Sequence, residues 1–173
     1  MSLRTCQRLL ASSVWRKSRS LVVYVAIRSE VETSRLIEAA LAEGKRLFVP
    51  RVTGKGAMTA LPVADAAALS PGFMGIPEPP PIGRPLTHAD LVVVPGVAFS
   101  WGGLRLGYGG GYYDRFFEAF PESFRVGLLF GGQLVRDIPE ETHDVRMNAL
   151  IIDGIWLRVR GGQETLPPED ERT

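Results

Sequence analysis

From Leu91 to Phe120 the chain reads LVVVPGVAFSWGGLRLGYGGGYYDRFFEAF. It opens with an apolar run that does not alternate with polar residues, as in a strand buried on both faces. That run ends at Pro95, so the following segment leaves from the carboxyl end of a sheet, the edge where α/β folds place ligands. Glycines stand at 96, 102, 103, 107, 109, 110 and 111. Each costs about 0.5–1 kcal/mol in conformational entropy if held in regular structure, so such density implies close backbone approach to something, an anion above all. A helix starting near Tyr112 adds unpaired amides. Arg105 offers a planar fork, and Asp114 falls in the first helical turn.

Two familiar phosphate motifs are excluded. A Walker loop needs Lys-Ser/Thr after its last glycine, and Tyr112 and Tyr113 stand there instead. The dinucleotide pattern starting at Gly107-Tyr108-Gly109 requires glycine at 112. Because a carboxylate beside phosphate repels it, Asp114 is read as a Mg²⁺ contact, direct or through water; helix-start electrostatics is the alternative. Asp144, in His143-Asp144, supplies a second carboxylate if its segment returns to the same edge; a surface acid is the simpler alternative. Phe116, Phe117 and Phe120 are expected in the core. His88 and His143 fit neither a zinc pattern nor a Ser-His-Asp arrangement.

The rest of the chain supports a parallel sheet. Leu21 to Ile27 reads as a second doubly buried strand, followed by a helix capped by Thr33, with Leu36, Ile37, Ala40 and Leu41 on its apolar face and Gly44 at its end. Leu47 to Val49 is a short strand stopped by Pro50. This is a βαβ unit. Met58 to Leu61 reads as an outer strand and Val63 to Leu69 as a short helix. Ser70 to Pro85, with prolines at 71, 77, 79, 80, 81 and 85, holds no regular element. Val126 to Phe130, then Ala149 to Ile152 and Ile155 to Val159 about an Asp153-Gly154 turn, complete the strands. A short helix is expected around Arg4 to Arg16. Residues 1–160 form one domain, and a polar tail follows from Gly161.

Composition limits the partners. At 173 residues with 45% apolar and 23% charged residues, the chain suits one globular domain. Its formal charge of +1 gives no global field toward nucleic acid or membrane. Cys6 is the single cysteine, which fits a reducing cytoplasm. No apolar run reaches the roughly 20 residues that span a bilayer. A monomer is favoured.

Residues 105–114, RLGYGGGYYD, resemble the signature loop of the 5-formyltetrahydrofolate cyclo-ligases, or methenyltetrahydrofolate synthetases. SEVET at 29–33, FVPR at 48–51, GIPEP at 75–79, VVPGVAF at 93–99 and HDV at 143–145 follow in the expected order, so the resemblance spans about Leu21 to Leu157. It implies a three-layer α/β/α sandwich with a mostly parallel sheet, related to ribose-5-phosphate isomerase and coenzyme A transferase domains. It further implies MgATP-dependent conversion of 5-formyltetrahydrofolate into 5,10-methenyltetrahydrofolate, releasing ADP and phosphate. Arg105 and Tyr112 would be catalytic. Arg105, Leu106, Gly107, Tyr108, Gly109, Gly110, Gly111, Tyr112 and Tyr113 would line the ATP site. Val25, Glu30, Gly109, Gly110, Gly111 and Tyr112 would contact the reduced folate, and Asp114 and Asp144 the Mg²⁺ ion. Three positions depart from the family: Tyr108 stands where arginine is common, Asn148 replaces a commonly acidic residue, and Arg4 or Arg8 correspond only loosely to an ATP-contacting lysine and arginine. Alternatives are a non-catalytic folate- or nucleotide-binding relative, or a MgATP-dependent phosphotransferase or ligase with another substrate.

Overall fold

The structure is a computed structural model that describes residues 1–159; the expected tail from Gly161 lies outside them. Helices α1 (Ser2–Leu10) and α2 (Ser13–Lys17) precede β1 (Ser20–Val22), α3 (Ser34–Ala42), β2 (Arg46–Gly54) and β3 (Ala57–Pro62). Two-residue strands β4 (Ser70–Pro71) and β5 (Pro77–Glu78) follow, then β6 (Leu91–Val94), β7 (Ala98–Ser100), β8 (Arg105–Leu106) and α4 (Tyr112–Glu118). The last strands are β9 (Phe124–Leu129), β10 (Leu134–Val135), β11 (Ala149–Ile152) and β12 (Ile155–Arg158).

Seven strands form one sheet in the order β12-β11-β9-β6-β1-β2-β3. The five inner strands are parallel, and the edge strands β3 and β12 are antiparallel. Side chains alternate faces along each strand. Leu21, Val23, Leu91, Val93, Val126, Leu128, Ala149 and Ile151 pack with Cys6, Leu9, Trp15, Leu36, Ile37 and Ala40 from the first three helices. Val22, Val92, Val94, Leu129, Leu150 and Ile152 face the other way, against Phe99 of β7 and Phe116 and Phe117 of α4. The unbroken apolar runs arise from this double burial, which stabilises by about 1.5–3 kcal/mol per large aliphatic side chain. Phe120 is half-buried against the same layer as Phe116 and Phe117.

Several elements differ from expectation. The helix expected over Arg4 to Arg16 is two, broken where the Ser12 hydroxyl accepts the Trp15 N–H. The first strand ends at Val22, with one further ladder bond from the Val23 N–H to the Phe48 carbonyl. Val23 and Tyr24 stay buried, but Tyr24 is pinned by the loop itself: its hydroxyl donates to the Val31 carbonyl and its carbonyl accepts from Thr33 Oγ1 at 2.6 Å. Thr33 therefore holds the loop instead of capping α3. The Glu32 carboxylate accepts the Thr33 and Ser34 N–H groups in its place. This loop carries Val25 and Glu30 beyond the carboxyl end of β1.

Pro50 does not stop β2. Arg46 donates to, and Phe48 accepts from, the β1 side, so the alternation of strand backbone turns Pro50 toward the space β1 has already left. Its missing N–H costs no ladder bond. Val63 to Leu69 contains only a single 3₁₀ turn at Ala66–Ala68. The proline-rich segment includes a small hairpin, β4 against β5. Buried Glu78 joins that hairpin to β2 by accepting the Val52 N–H at 3.0 Å and lying 3.4 Å from Arg51, whose Nη1 donates to the Pro79 carbonyl. FVPR and GIPEP thus meet as two halves of one bracket.

Candidate active site

Loops 23–33, after β1, and 95–111, after β6, leave the same carboxyl edge of the sheet. The second is stiffened by a three-stranded sheet, β10-β7-β8, in which Arg105 pairs with Phe99. The Arg105 side chain is 5% exposed, and one Nη lies 3.1 Å from the Asp114 carboxylate. Its guanidinium lies 5.2 Å from the centre of the Tyr113 ring. Its Nε is buried without a hydrogen-bond partner among the described residues. A buried unsatisfied donor on a charged group costs more than about 1–3 kcal/mol, so the geometry favours an additional acceptor. Gly107 permits this packing, since a Cβ there would lie 2.5 Å from Arg105 Nη1.

Leu106 is exposed, and its carbonyl accepts the Val97 N–H. Gly111 is the N-cap of α4, which starts at Tyr112 as expected. With only seven residues, α4 contributes little macrodipole, leaving Arg105 and the loop amides as the stronger features for an anion. Asp114 sits in the first turn but is partnered by Arg105. Asp144 accepts the Glu141 N–H at 2.8 Å in a local turn. Among the described residues no group of three or more His, Cys, Asp or Glu side chains is placed to hold a metal. Asn148 lies at the amino end of β11, away from the ligand edge, where its side-chain oxygen accepts the Arg125 N–H.

Glu30 reaches the same region from the first loop. Its carboxylate accepts the Ile27 N–H at 2.9 Å and interacts with the Tyr108 hydroxyl. Burial raises the Glu30 pKa, against the opposing effects of the Ile27 N–H, Tyr108 and Arg28. Arg28, in a left-handed conformation with φ 52°, places its guanidinium 5.7 Å from the centre of the Tyr108 ring. A positive group therefore lies beside Tyr108 although that residue itself carries none. Buried Tyr24 and half-buried Tyr113 have phenol pKa values raised first by desolvation and then by the Glu30 charge. Val25 packs half-buried against the core below the loop.

Because the folded-state pKa of Glu30 is raised above 4.5, protonation favours the fold, and that contribution is lost as pH rises through the folded value. Glu30→Gln is expected to raise Tm at neutral pH, with the gain absent below pH 4.5. Thermal melts at the two pH values check this; equal neutral-pH melting temperatures would contradict it.

Facing the β2–β3 turn, the glycine-rich loop borders a cavity of about 600 Å³ lined by Lys55, Gly56, Ala57, Gly109, Gly110, Tyr112 and Arg115. Tyr112 faces Phe73 of the proline-rich segment at 6.3 Å between ring centres. Arg28, Lys55, Phe73 and Arg115 are additions to the expected site. Gly54-Lys55-Gly56 is a turn signal that could have placed Lys55 at a hairpin tip; the others depend on contacts between distant segments.

A mostly parallel sheet between outer layers, with a glycine-rich arginine loop and a second polar loop at its carboxyl edge, defines an α/β enzyme. The 5-formyltetrahydrofolate cyclo-ligase family model matches residues 2–153, and the chain belongs to that family. A protein from Caenorhabditis elegans named as a probable 5-formyltetrahydrofolate cyclo-ligase is 36% identical over 163 residues, covering 86% of this chain and 79% of its own length. The NMR structure of Aquifex aeolicus 5,10-methenyltetrahydrofolate synthetase superposes with a TM-score of 0.81 at 30% identity, over 97% of this chain and 85% of that one. A Mycoplasma pneumoniae 5,10-methenyltetrahydrofolate synthetase structure shares the fold, with a TM-score of 0.66 at 21% identity over 88% and 83% of the two chains.

Proposed function

We propose that this chain catalyses ATP-dependent conversion of 5-formyltetrahydrofolate to 5,10-methenyltetrahydrofolate, with ADP and phosphate released. Family membership supports the reaction. The observation that carries the site assignment is buried Arg105, with its unpaired Nε, at the base of the glycine-rich loop. Arg105 and the Gly107–Gly111 amides stabilise charge on the transferring phosphoryl group. The formyl oxygen attacks the γ-phosphorus as ADP leaves. N10 then attacks the activated formyl carbon, loses its proton, and expels that oxygen as part of phosphate. No protein nucleophile is needed; positioning and electrostatic stabilisation account for the chemistry. Glu30 and Val25 orient the folate, while Tyr112 forms a wall shared with the nucleotide.

The donor chemistry fits Mg²⁺ brought with ATP, because this ion is commonly held by one or two carboxylates plus phosphate oxygens and water. Asp114 is the primary candidate and Asp144 the second; bound Mg²⁺ supplies charge neutralisation for the phosphates. Lone, buried Cys6 supports a reducing compartment such as the cytoplasm. Among the described residues, no helix is long and apolar enough to cross a membrane.

Purified protein with MgATP and 5-formyltetrahydrofolate is expected to form methenyl-folate, followed by absorbance, and ADP in equal amounts. Folate binding without either product would favour a binding protein. ADP formation only with another acceptor would favour a different phosphotransferase, and absence of both folate binding and product would reject the assignment.

A further inference from the structure

We infer that Gln133 is a positioning residue for phosphoryl transfer: its side-chain amide braces the backbone against which Arg105 packs. This rests on the function proposed above. Gln133 closes the 3₁₀ turn at Gly131–Gln133, after β9 and immediately before β10, well outside the glycine-rich loop.

Three main-chain groups meet this one amide. Its Oε1 accepts the Phe130 N–H at 2.9 Å, and its Nε2 donates to the Gly96 carbonyl at 2.8 Å and to the Val97 carbonyl at 3.4 Å. The first bond fixes the amide within its own turn; the other two fasten residues 37 and 36 positions away. The turn is gripped from its other end as well, because the Asp153 carboxylate accepts the Gly131 N–H at 3.0 Å. A neutral amide suits this place, since it offers two N–H donors and an acceptor at once.

Gly96 and Val97 are what Arg105 leans on. A Cβ on Gly96 would lie 3.1 Å from Arg105 Cγ, so the backbone there runs directly against the aliphatic stem. The Val97 N–H donates to the Leu106 carbonyl at 2.8 Å, and Phe99 pairs with Arg105 in the β7–β8 ladder. Because β8 has only two residues, few ladder bonds of its own fix Arg105, and its place depends on how β7 is anchored. Gln133 secures the start of that strand, beside the parallel pairing of Leu134 with Phe99. Releasing it lets the guanidinium drift, and a misplacement on the order of 1 Å can cost about 100-fold in rate.

The test measures turnover of 5-formyltetrahydrofolate at saturating MgATP by wild type, Gln133→Ala and Gln133→Glu, and repeats Gln133→Ala in an Arg105→Ala background. Gln133→Ala is expected to lower kcat about tenfold with the folate KM within about twofold, since a displaced Arg105 weakens the transition state and spares ground-state binding. Gln133→Glu keeps an acceptor for Phe130 but turns a carboxylate oxygen onto two carbonyls, so it should lose more. Where Arg105 is already alanine, Gln133→Ala should change the rate by less than about twofold. Equal losses in the two backgrounds would overturn the brace, as would wild-type kcat in folded Gln133→Ala protein. Amide hydrogen exchange needs no turnover: the Val97 N–H should exchange about tenfold faster in Gln133→Ala as the β7–β8 ladder loosens. Unchanged Val97 exchange would overturn the brace. Failure of wild type to turn over the folate would instead reject the proposed function, and Val97 exchange would then decide the brace alone.

Discussion

Arg105→Ala is expected to lower kcat/KM for methenyl-folate formation by about two to three orders of magnitude, equivalent to roughly 3–4 kcal/mol of lost transition-state stabilisation. Arg105 combines near-complete burial, an unpaired Nε and a place at the base of the glycine-rich loop. Arg105→Lys preserves charge but loses the planar fork, so it should recover only part of the rate. Each variant also leaves Asp114 without its full partner, making circular dichroism and Tm necessary companions to the kinetics. Wild-type turnover in a folded Arg105→Ala protein would remove Arg105 from the mechanism.

Gly107→Ala is the second large expected effect, and it separates activity from stability. The added Cβ would lie 2.5 Å from Arg105 Nη1, the movable end of that side chain. The fold can accommodate it by displacing the guanidinium. A misplacement on the order of 1 Å can cost about 100-fold in rate, so kcat/KM should fall about that much with little change in Tm. A large Tm loss with full activity per folded molecule would show that Gly107 serves the fold and does not position Arg105.

Charge at position 108 also has a tertiary answer. Tyr108 interacts with Glu30 and lies near the Arg28 guanidinium, joining the glycine-rich loop to the loop after β1. Tyr108 itself carries no charge, yet a cation comes from another segment. Glu30 is likewise held where burial works against its charged form.

Much was legible locally. The apolar runs at Leu91–Val94 and Val126–Phe130 identified buried strands, and Ala149–Ile152 a terminal one that proves buried as well, because both sheet faces are covered. Loop glycines, Arg105 and the helix beginning at Tyr112 marked the candidate anion-binding segment through backbone chemistry. Only tertiary structure decided where the Leu21 run leaves the sheet, since Val23 and Tyr24 remain buried whether or not they join a ladder. It also explained how Pro50 fits inside β2: the proline faces an edge vacated by another strand, information absent from its neighbours.

The sequence by itself determined the α/β class, the ordered family motifs and the chemistry available at the glycine-rich loop, because these depend on periodicity and residue type along one stretch. Tertiary structure decided that Arg105 pairs with Asp114, that Arg28 lies beside Tyr108, and that Lys55 and Arg115 line a common cavity. Those relations join segments up to 80 residues apart, from Arg28 to Tyr108, and arise from sheet order and loop convergence.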